Sequence, residues 1–228
     1  MHENATRTPR RIVPTLVDMN AGKGQNRHQV EAFIHDHFAQ IHGADVRKYL
    51  PALMSLRSDD GNLLGALGLR AAAGETLYLE HYLDRPIEQV LAGAVGTSVS
   101  RDGVIEVGNL AVGAPGGGRW LITALTAFLH AADQQWAVFT CGPRLRNAFT
   151  RLGIDLADLG PARPDRLPDG EASLWGNYYD QGPHVMAARV VQSHAVLATL
   201  FERECALTAL WQHANEAGQH AGYGARAA

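Results

Sequence analysis

Residues 104 to 130, VIEVGNLAVGAPGGGRWLITALTAFLH, limit the possible folds more than any other stretch. A β-branched run (Val104, Ile105, Val107) enters a Gly-rich bend from Gly113 to Gly118 and leaves as a helix. In that helix Trp120, Leu121, Ala124, Leu125, Phe128 and Leu129 make one apolar stripe. A strand feeding a helix through glycines leaves backbone N–H groups open at the positive end of the helix dipole, where a phosphate is welcome. The same glycines also suit an ordinary tight strand-to-helix turn. No Lys-Ser/Thr follows them, and their spacing is not G-x-G-x-x-G, so neither ATP nor a dinucleotide is favoured. A phosphate-bearing ligand of another kind remains.

With 228 residues, 46% of them apolar, the chain can bury one good-sized core. A net charge of −3 gives no electrostatic case for nucleic acid. Two cysteines, Cys141 and Cys205, make no disulfide framework and point to free thiols in a reducing compartment. No apolar run follows the basic residues of MHENATRTPRR, and no stretch reaches the ~18 apolar residues of a spanning helix. A cytoplasmic protein without a membrane span is expected.

In order, the pattern predicts a strand at 11–18 and a helix at 26–42 capped by Asn26 and stopped by Gly43. A hairpin follows, 51–57 and 63–70 around Ser58-Asp59-Asp60-Gly61-Asn62, then a strand at 76–82 and a helix from Pro86 to about Val95. After the organising unit come a buried strand at 136–141, a helix at 145–152 closed by Gly153, a long loop at 154–174, a strand at 185–191 and an amphipathic helix at 194–211. The final residues, from 217, read as disordered. His28, His35 and His42 are seven apart, about 10 Å along a helix. That spacing cannot bring two imidazoles to one ion, so a solvated histidine face and no metal are expected.

This element order is similar to the GNAT acyltransferase layout, an α+β fold whose mixed, mostly antiparallel sheet is flanked by helices and splays open beside its fourth strand. Leu110-Ala111-Val112 with Gly113, Gly116 and Gly118 looks like the pyrophosphate loop of that group, and Asn147 to Ile154 looks like its second donor-binding motif. More specifically, the chain resembles the bacterial thermostable haemolysin family. The carrying stretches are Leu79 to Asp84, Ile105 to Ala111, Val138-Phe139-Thr140, Leu145-Arg146-Asn147 and Trp175 to Asp180, spread over about residues 30 to 190. The resemblance implies a tail and first strand (1–25), an acyltransferase core (26–192) and a C-terminal amphipathic helix with a disordered tail (193–228). It implies an acyl thioester as donor, as acyl-CoA or acyl-phosphopantetheine on an acyl carrier protein, and a small amine or amino acid as acceptor. A homodimer is one assembly open to such a chain. The donor would lie against Leu110, Ala111, Val112, Gly113, Gly116, Gly117, Gly118 and Arg119, with Thr140, Asn147 and Phe149 beyond. Two positions depart from the GNAT pattern. Gly113 stands where an Arg or Gln usually opens the loop, which weakens the clamp a diphosphate wants and asks less of a phosphodiester. Phe149 replaces the tyrosine that often protonates the leaving thiolate.

Acyl transfer to an amine needs a base, an oxyanion donor and an acid for the thiolate. Glu106, among Val104, Ile105 and Val107, is the candidate base, because desolvation raises a carboxylate's pKa into a useful range; a surface carboxylate paired with an arginine is the alternative. Strand alternation turns it away from Ile105 and Val107. Asn109 would orient acceptor or pantetheine, and backbone N–H groups of 110–112 would hold the oxyanion if the strand bulges there. Glu80 is the second candidate carboxylate, with an arginine-paired structural role equally open. Tyr178 (or Tyr179) would supply the acid that Phe149 lacks. Cys141, between a strand end and a helix start, occupies a place that can lower a thiol pKa. Two other functions stay open: a membrane-lytic protein using helix 194–211 without catalysis, and an inactive acyl-thioester-binding protein.

Overall fold

The computed structural model describes residues 14–22, 24–113, 117–201 and 205–221. Among these, seven strands form one sheet: β1 (Leu16–Ala21), β2 (Ala52–Arg57), β3 (Leu63–Ala71), β4 (Val104–Val112), β5 (Trp136–Cys141), β6 (Ala157–Pro161) and β7 (His184–Arg189), in the order β1-β2-β3-β4-β5-β7-β6. Only β4 and β5 run parallel; every other pair is antiparallel. The expected α+β class, with a mixed and mostly antiparallel sheet between helices, is what forms.

One face carries α1 (Gln25–His42) and α2 (Ile87–Val95), the other α3 (Gly117–Ala131), α4 (Pro143–Arg151), α5 (Val190–Phe201) and α6 (Cys205–Gln219). The α3 stripe is buried as read, but so are Ile122, Thr123, Thr126 and Ala127 off it, because α5 and α6 also pack against α3. Leu121, Ala124 and Phe128 are fully buried and pack with Met54, Leu67, Leu69 and Ile105 of the sheet. Helix α1 seats Val30, Ile34 and Phe38 over Leu53, Ala66 and Ala111. It begins after Gly24 rather than at an Asn26 cap, and Gly43 stops it in the left-handed region at φ 61°.

Three further expectations are corrected, the first being the disorder read from 217, since α6 continues to Gln219. Residues 76–82 are not a strand. A 3-10 turn runs from Tyr78 to Tyr82, because carboxylates take the N–H groups a partner strand would have taken: Leu77 donates to Glu80, and Tyr78 and Leu79 donate to Glu106. Nor is 154–174 all loop. β6 lies on the sheet edge against β7, and its exposed, bulged, Gly- and Pro-containing sequence carries no alternation to read. The stretch 194–211 falls on α5 and α6, where Leu197, Leu210 and Ala214 are fully buried in the core. Residues 202–204 and 222–228 lie outside the described ones.

The chain 174–177 is moored to the end of α1. Asp45 N–H donates to Leu174 O at 2.7 Å and Asn177 N–H to His42 O at 2.9 Å. Gly176 sits between these bonds at φ 53° and ψ −128°, and a Cβ there would stand 1.9 Å from His42 O. Gly176→Ala is therefore expected to cost about 2–3 kcal/mol and to loosen the Trp175–Tyr178 packing. Urea unfolding and near-ultraviolet circular dichroism measure both, and an unchanged midpoint would refute the mooring.

Candidate active site

The parallel pairing of β4 and β5 ends at Val107↔Phe139, although β4 continues to Val112 and β5 to Cys141. The strands part because β4 bulges. Gly108 faces Gly68 and Ala111 faces Ala66, so Asn109 and Leu110 together oppose Leu67. The extra residue flips the alternation: Ile105 and Val107 pack toward α3, and so do Leu110 and Val112, while Ala111 turns to α1. Asn109 takes the strain at φ 51°, and its amide ties the bulge to the segment after α1, accepting from Leu50 N–H at 2.9 Å and donating to Lys48 O at 3.2 Å.

Between the parted strands lies a cavity of about 900 Å³. Its α3–α4 side is apolar, with Ile122, Leu125, Phe139, Leu145 and Phe149; Phe149 stacks on Phe139 with centroids 4.9 Å apart. Its other end is polar, with Glu106, Arg70, Tyr78, Glu171 and Lys48.

Glu106 is 4% exposed. Its two oxygens accept Leu79 N–H at 2.8 Å and Tyr78 N–H at 3.0 Å, and Arg70 Nη1 lies 3.6 Å away. Burial pushes its pKa up, and the two N–H bonds and Arg70 only partly reverse that. A proton acceptor with a raised pKa thus stands at the polar end of the cavity. Tyr178 donates to Thr140 Oγ1 at 3.0 Å, both side chains line the cavity, and burial pushes the phenol up to about 12, so it keeps its proton at neutral pH. Val112 N–H points at His37 Nε2, 3.4 Å off.

Leu110, Val112, Gly113, Gly118, Thr140 and Phe149 also line this cavity, as do Glu106, Asn109 and Tyr178. Ala111, Gly117, Arg119 and Asn147 do not. Ala111 is buried under α1, Arg119 is half-buried in the first turn of α3, and Asn147 is exposed on α4. Gly117 packs so tightly that a Cβ would meet Val112 Cγ1 at 2.6 Å. Gly116 lies outside the described residues. Gly113 N–H is taken by Leu64 O at 3.0 Å, a bond of the sheet end rather than an open anion donor.

Glu80 is not at the cavity. It accepts Leu77 N–H and Ile87 N–H, both at 2.8 Å, and is gripped by Arg101 at 2.7 and 2.9 Å. Burial alone would raise it, but Arg101 and the two N–H donors bring it down to about 2. The geometry matches the arginine-paired structural role. Burial pushes the Cys141 thiol up to about 11, opposite to the lowering its position suggests, and it does not line the cavity. Reading α1 as a solvated histidine face is also corrected in part, since His37 and His42 line the cavity. Among the described residues no group of three or more His, Cys, Asp or Glu is placed to hold a metal ion. Arg70, Tyr78, Lys48 and Glu171 escape sequence reading because they come from four separate segments with no shared motif.

A family model described as "Thermostable hemolysin" matches residues 21–194. The chain belongs to the thermostable hemolysin family. No curated protein matches it in sequence. Among solved structures, this chain resembles BjaI, a CoA-dependent acyl-homoserine lactone synthase solved with MTA, at 14% identity and TM-score 0.54 over 82% of this chain and 89% of that one. It resembles TofI in an apo form at 13% identity and TM-score 0.53, over 80% and 95% of the two chains. FeeM, an N-acyl amino acid synthase from uncultured soil microbes, gives 12% identity and TM-score 0.53 over 78% and 92%. At these identities the likeness is one of fold, and the fold is GNAT-like. Among the described residues no helix of this hemolysin-family chain is long and apolar enough to cross a membrane.

Proposed function

We propose that this protein is an N-acyltransferase that moves an acyl group from a thioester, on coenzyme A or a carrier-protein phosphopantetheine, to the amine of a small acceptor. One observation carries the reading: the buried Glu106 carboxylate faces a cavity that opens where β4 and β5 part. The named activities of BjaI and FeeM, both acyl-transferring synthases on this fold, support it.

The apolar wall of Ile122, Leu125, Phe139 and Phe149 suits a medium or long acyl chain, and the volume is within the ~300–1,000 Å³ usual for small-molecule sites. The thioester carbonyl would lie by the bulge, with the N–H of Leu110, a residue that lines the cavity, near its oxygen. Glu106, directly or through a water, takes the proton from the attacking amine. The C–S bond breaks as the C–N bond forms, and Tyr178, held neutral by burial, protonates the thiolate in the role Phe149 cannot fill. A lytic mechanism would ask α5 and α6 to offer an apolar face, yet Leu197, Leu210 and Ala214 are spent in the core.

Native mass spectrometry with dodecanoyl-CoA and with dodecanoyl-loaded carrier protein tests the reading. A one-to-one noncovalent complex with one donor class is expected, and complexation by neither overturns it.

A further inference from the structure

Arg70 and Glu106 are direct cross-strand partners on β3 and β4, pointing to the same face at the polar end of the cavity. Glu106 is held firmly by two backbone N–H groups. Arg70 is not held in this way. Its guanidinium approaches Glu106 and Glu75 only at 3.6 Å each, beyond hydrogen-bond length, and Glu75 is largely exposed. Its Nε is buried with no hydrogen-bond partner among the described residues. That Nε lies on the Glu75 side and is closed to solvent, but the side chain as a whole is 23% exposed and makes no hydrogen bond to either carboxylate, so the guanidinium is left to take an incoming acceptor. The planar fork of an arginine selects carboxylate geometry.

We propose that the acceptor is an α-amino acid, its carboxylate taken by Arg70 and its amine by Glu106. This rests on the acyltransferase reading and deepens it. The two side chains carry opposite charges 3.6 Å apart, which suits an acceptor whose own opposite charges are separated by a single carbon. A longer spacer between amine and anion would overshoot the pair, and an amine without an anion would leave Arg70 unsatisfied. Lys48 and Glu171, paired to each other at the same end, leave that local balance neutral. In the reaction the bound ammonium first gives one proton to solvent by way of Glu106. The free amine then attacks the thioester carbon, the C–N bond forms and the C–S bond breaks. The second amine proton leaves through Glu106, and the departing sulfur ends as a thiol. The products are an N-acyl amino acid and the free thiol carrier, with no oxidant or reductant involved.

The test uses the full chain with dodecanoyl-CoA and dodecanoyl-loaded carrier protein, and mass spectrometry of the products. Acceptors are the free amino acids, each matched with its carboxamide and its decarboxylated amine, together with β-alanine and γ-aminobutyrate. Free α-amino acids are expected to exceed their matched derivatives about tenfold or more in kcat/KM, because a site built to bond the carboxylate rejects the analogue lacking it. Arg70→Gln should shrink that ratio about tenfold, chiefly through KM, and Arg70→Lys should restore part of it. A residue that only props the strand would lower amino acid and matched amine alike and leave the ratio intact. Equal use of amides and amines by the wild-type protein, or an intact ratio in Arg70→Gln, overturns the acceptor assignment and leaves acyl transfer standing. Acylation of no acceptor by a protein that binds donor overturns both.

Discussion

Replacing Glu106 by glutamine is expected to lower turnover about 100- to 10,000-fold while leaving donor affinity within a few-fold, the range general-base removal gives. Glutamine has the shape of glutamate and keeps one acceptor oxygen, so one of the N–H bonds from Tyr78 and Leu79 survives. Its NH₂ faces the other N–H and loses that bond, at roughly 1–3 kcal/mol. Against this stands the removal of a buried charge. The Glu106 pKa is raised by burial, so its favourable contribution to stability is full below the ordinary glutamate value and is lost as pH rises through the raised folded value. At neutral pH the native carboxylate is therefore a burden that glutamine lifts, and the two effects oppose each other. The variant should stay folded, with a melting temperature near wild type, which makes activity loss interpretable. The same shift sets the pH profile: kcat/KM should climb with pH as Glu106 ionises, on a limb displaced above the ordinary glutamate range, and that limb should vanish in the glutamine variant. Equal loss of turnover and donor binding, or an unchanged acid limb, would remove Glu106 from the role of base.

How much of this was legible in the chain depends on the kind of order involved. The strand–bend–helix at 104–130 was, because burial of one helix stripe and one strand run writes a periodic pattern that needs no partner to be seen. The bulge was foreseen only as a condition: its mark is a non-glycine residue, Asn109, at positive φ, and φ is not written in a sequence. The turn at 78–82 was misread for a definable reason. Its apolar alternation, with Leu79 and Tyr82 buried, matches a strand, and only the arrival of Glu106 from 27 residues away makes a 3-10 turn the better way to satisfy Leu79 N–H. The acceptor end was illegible altogether. Arg70, Lys48, Tyr78 and Glu171 meet because β3 pairs with β4 and because segment 174–177 is tied to α1, and neither tie leaves a local signal. Motif reading of the donor loop divided along the same line. Gly113 and Gly118 reach the cavity, whereas Gly117 is a packing glycine under Val112.

Breaking the Glu80–Arg101 pair should cost about 2–3 kcal/mol for Glu80→Ala or Arg101→Met alone, below the full range for buried pairs because Arg101 keeps a quarter of its side chain exposed. Arg101 is the hub of the connection between sheet and turn. Its Nε donates to Ala72 O, its Nη2 to Glu75 O and Glu80, and its Nη1 to Glu80 and Glu88 at the start of α2. Glu80 answers by accepting Leu77 N–H and Ile87 N–H, closing the loop from 77 to 87. Removing either side chain leaves the other half-buried and charged, with its donors or acceptors unmade. The pH dependence follows from the sign of the shift. Glu80 is held down at about 2, so the pair stabilises above the ordinary glutamate value, and that contribution is lost as pH falls toward 2. Wild-type stability by urea unfolding should therefore drop between pH 5 and pH 2 more steeply than that of Glu80→Gln, and the double variant should cost much less than the sum of the singles. A second consequence reaches the site. The loop closed by Glu80 is the one whose Tyr78 and Leu79 N–H groups hold Glu106, so Glu80→Gln should also weaken activity through kcat with its acid limb shifted, not abolished. If each single variant costs under about 1 kcal/mol, the pair is a surface contact and the turn stands by other means. If Glu80→Gln instead removes the acid limb while stability holds, the carboxylate that titrates in catalysis is Glu80, and the base must be reassigned from Glu106.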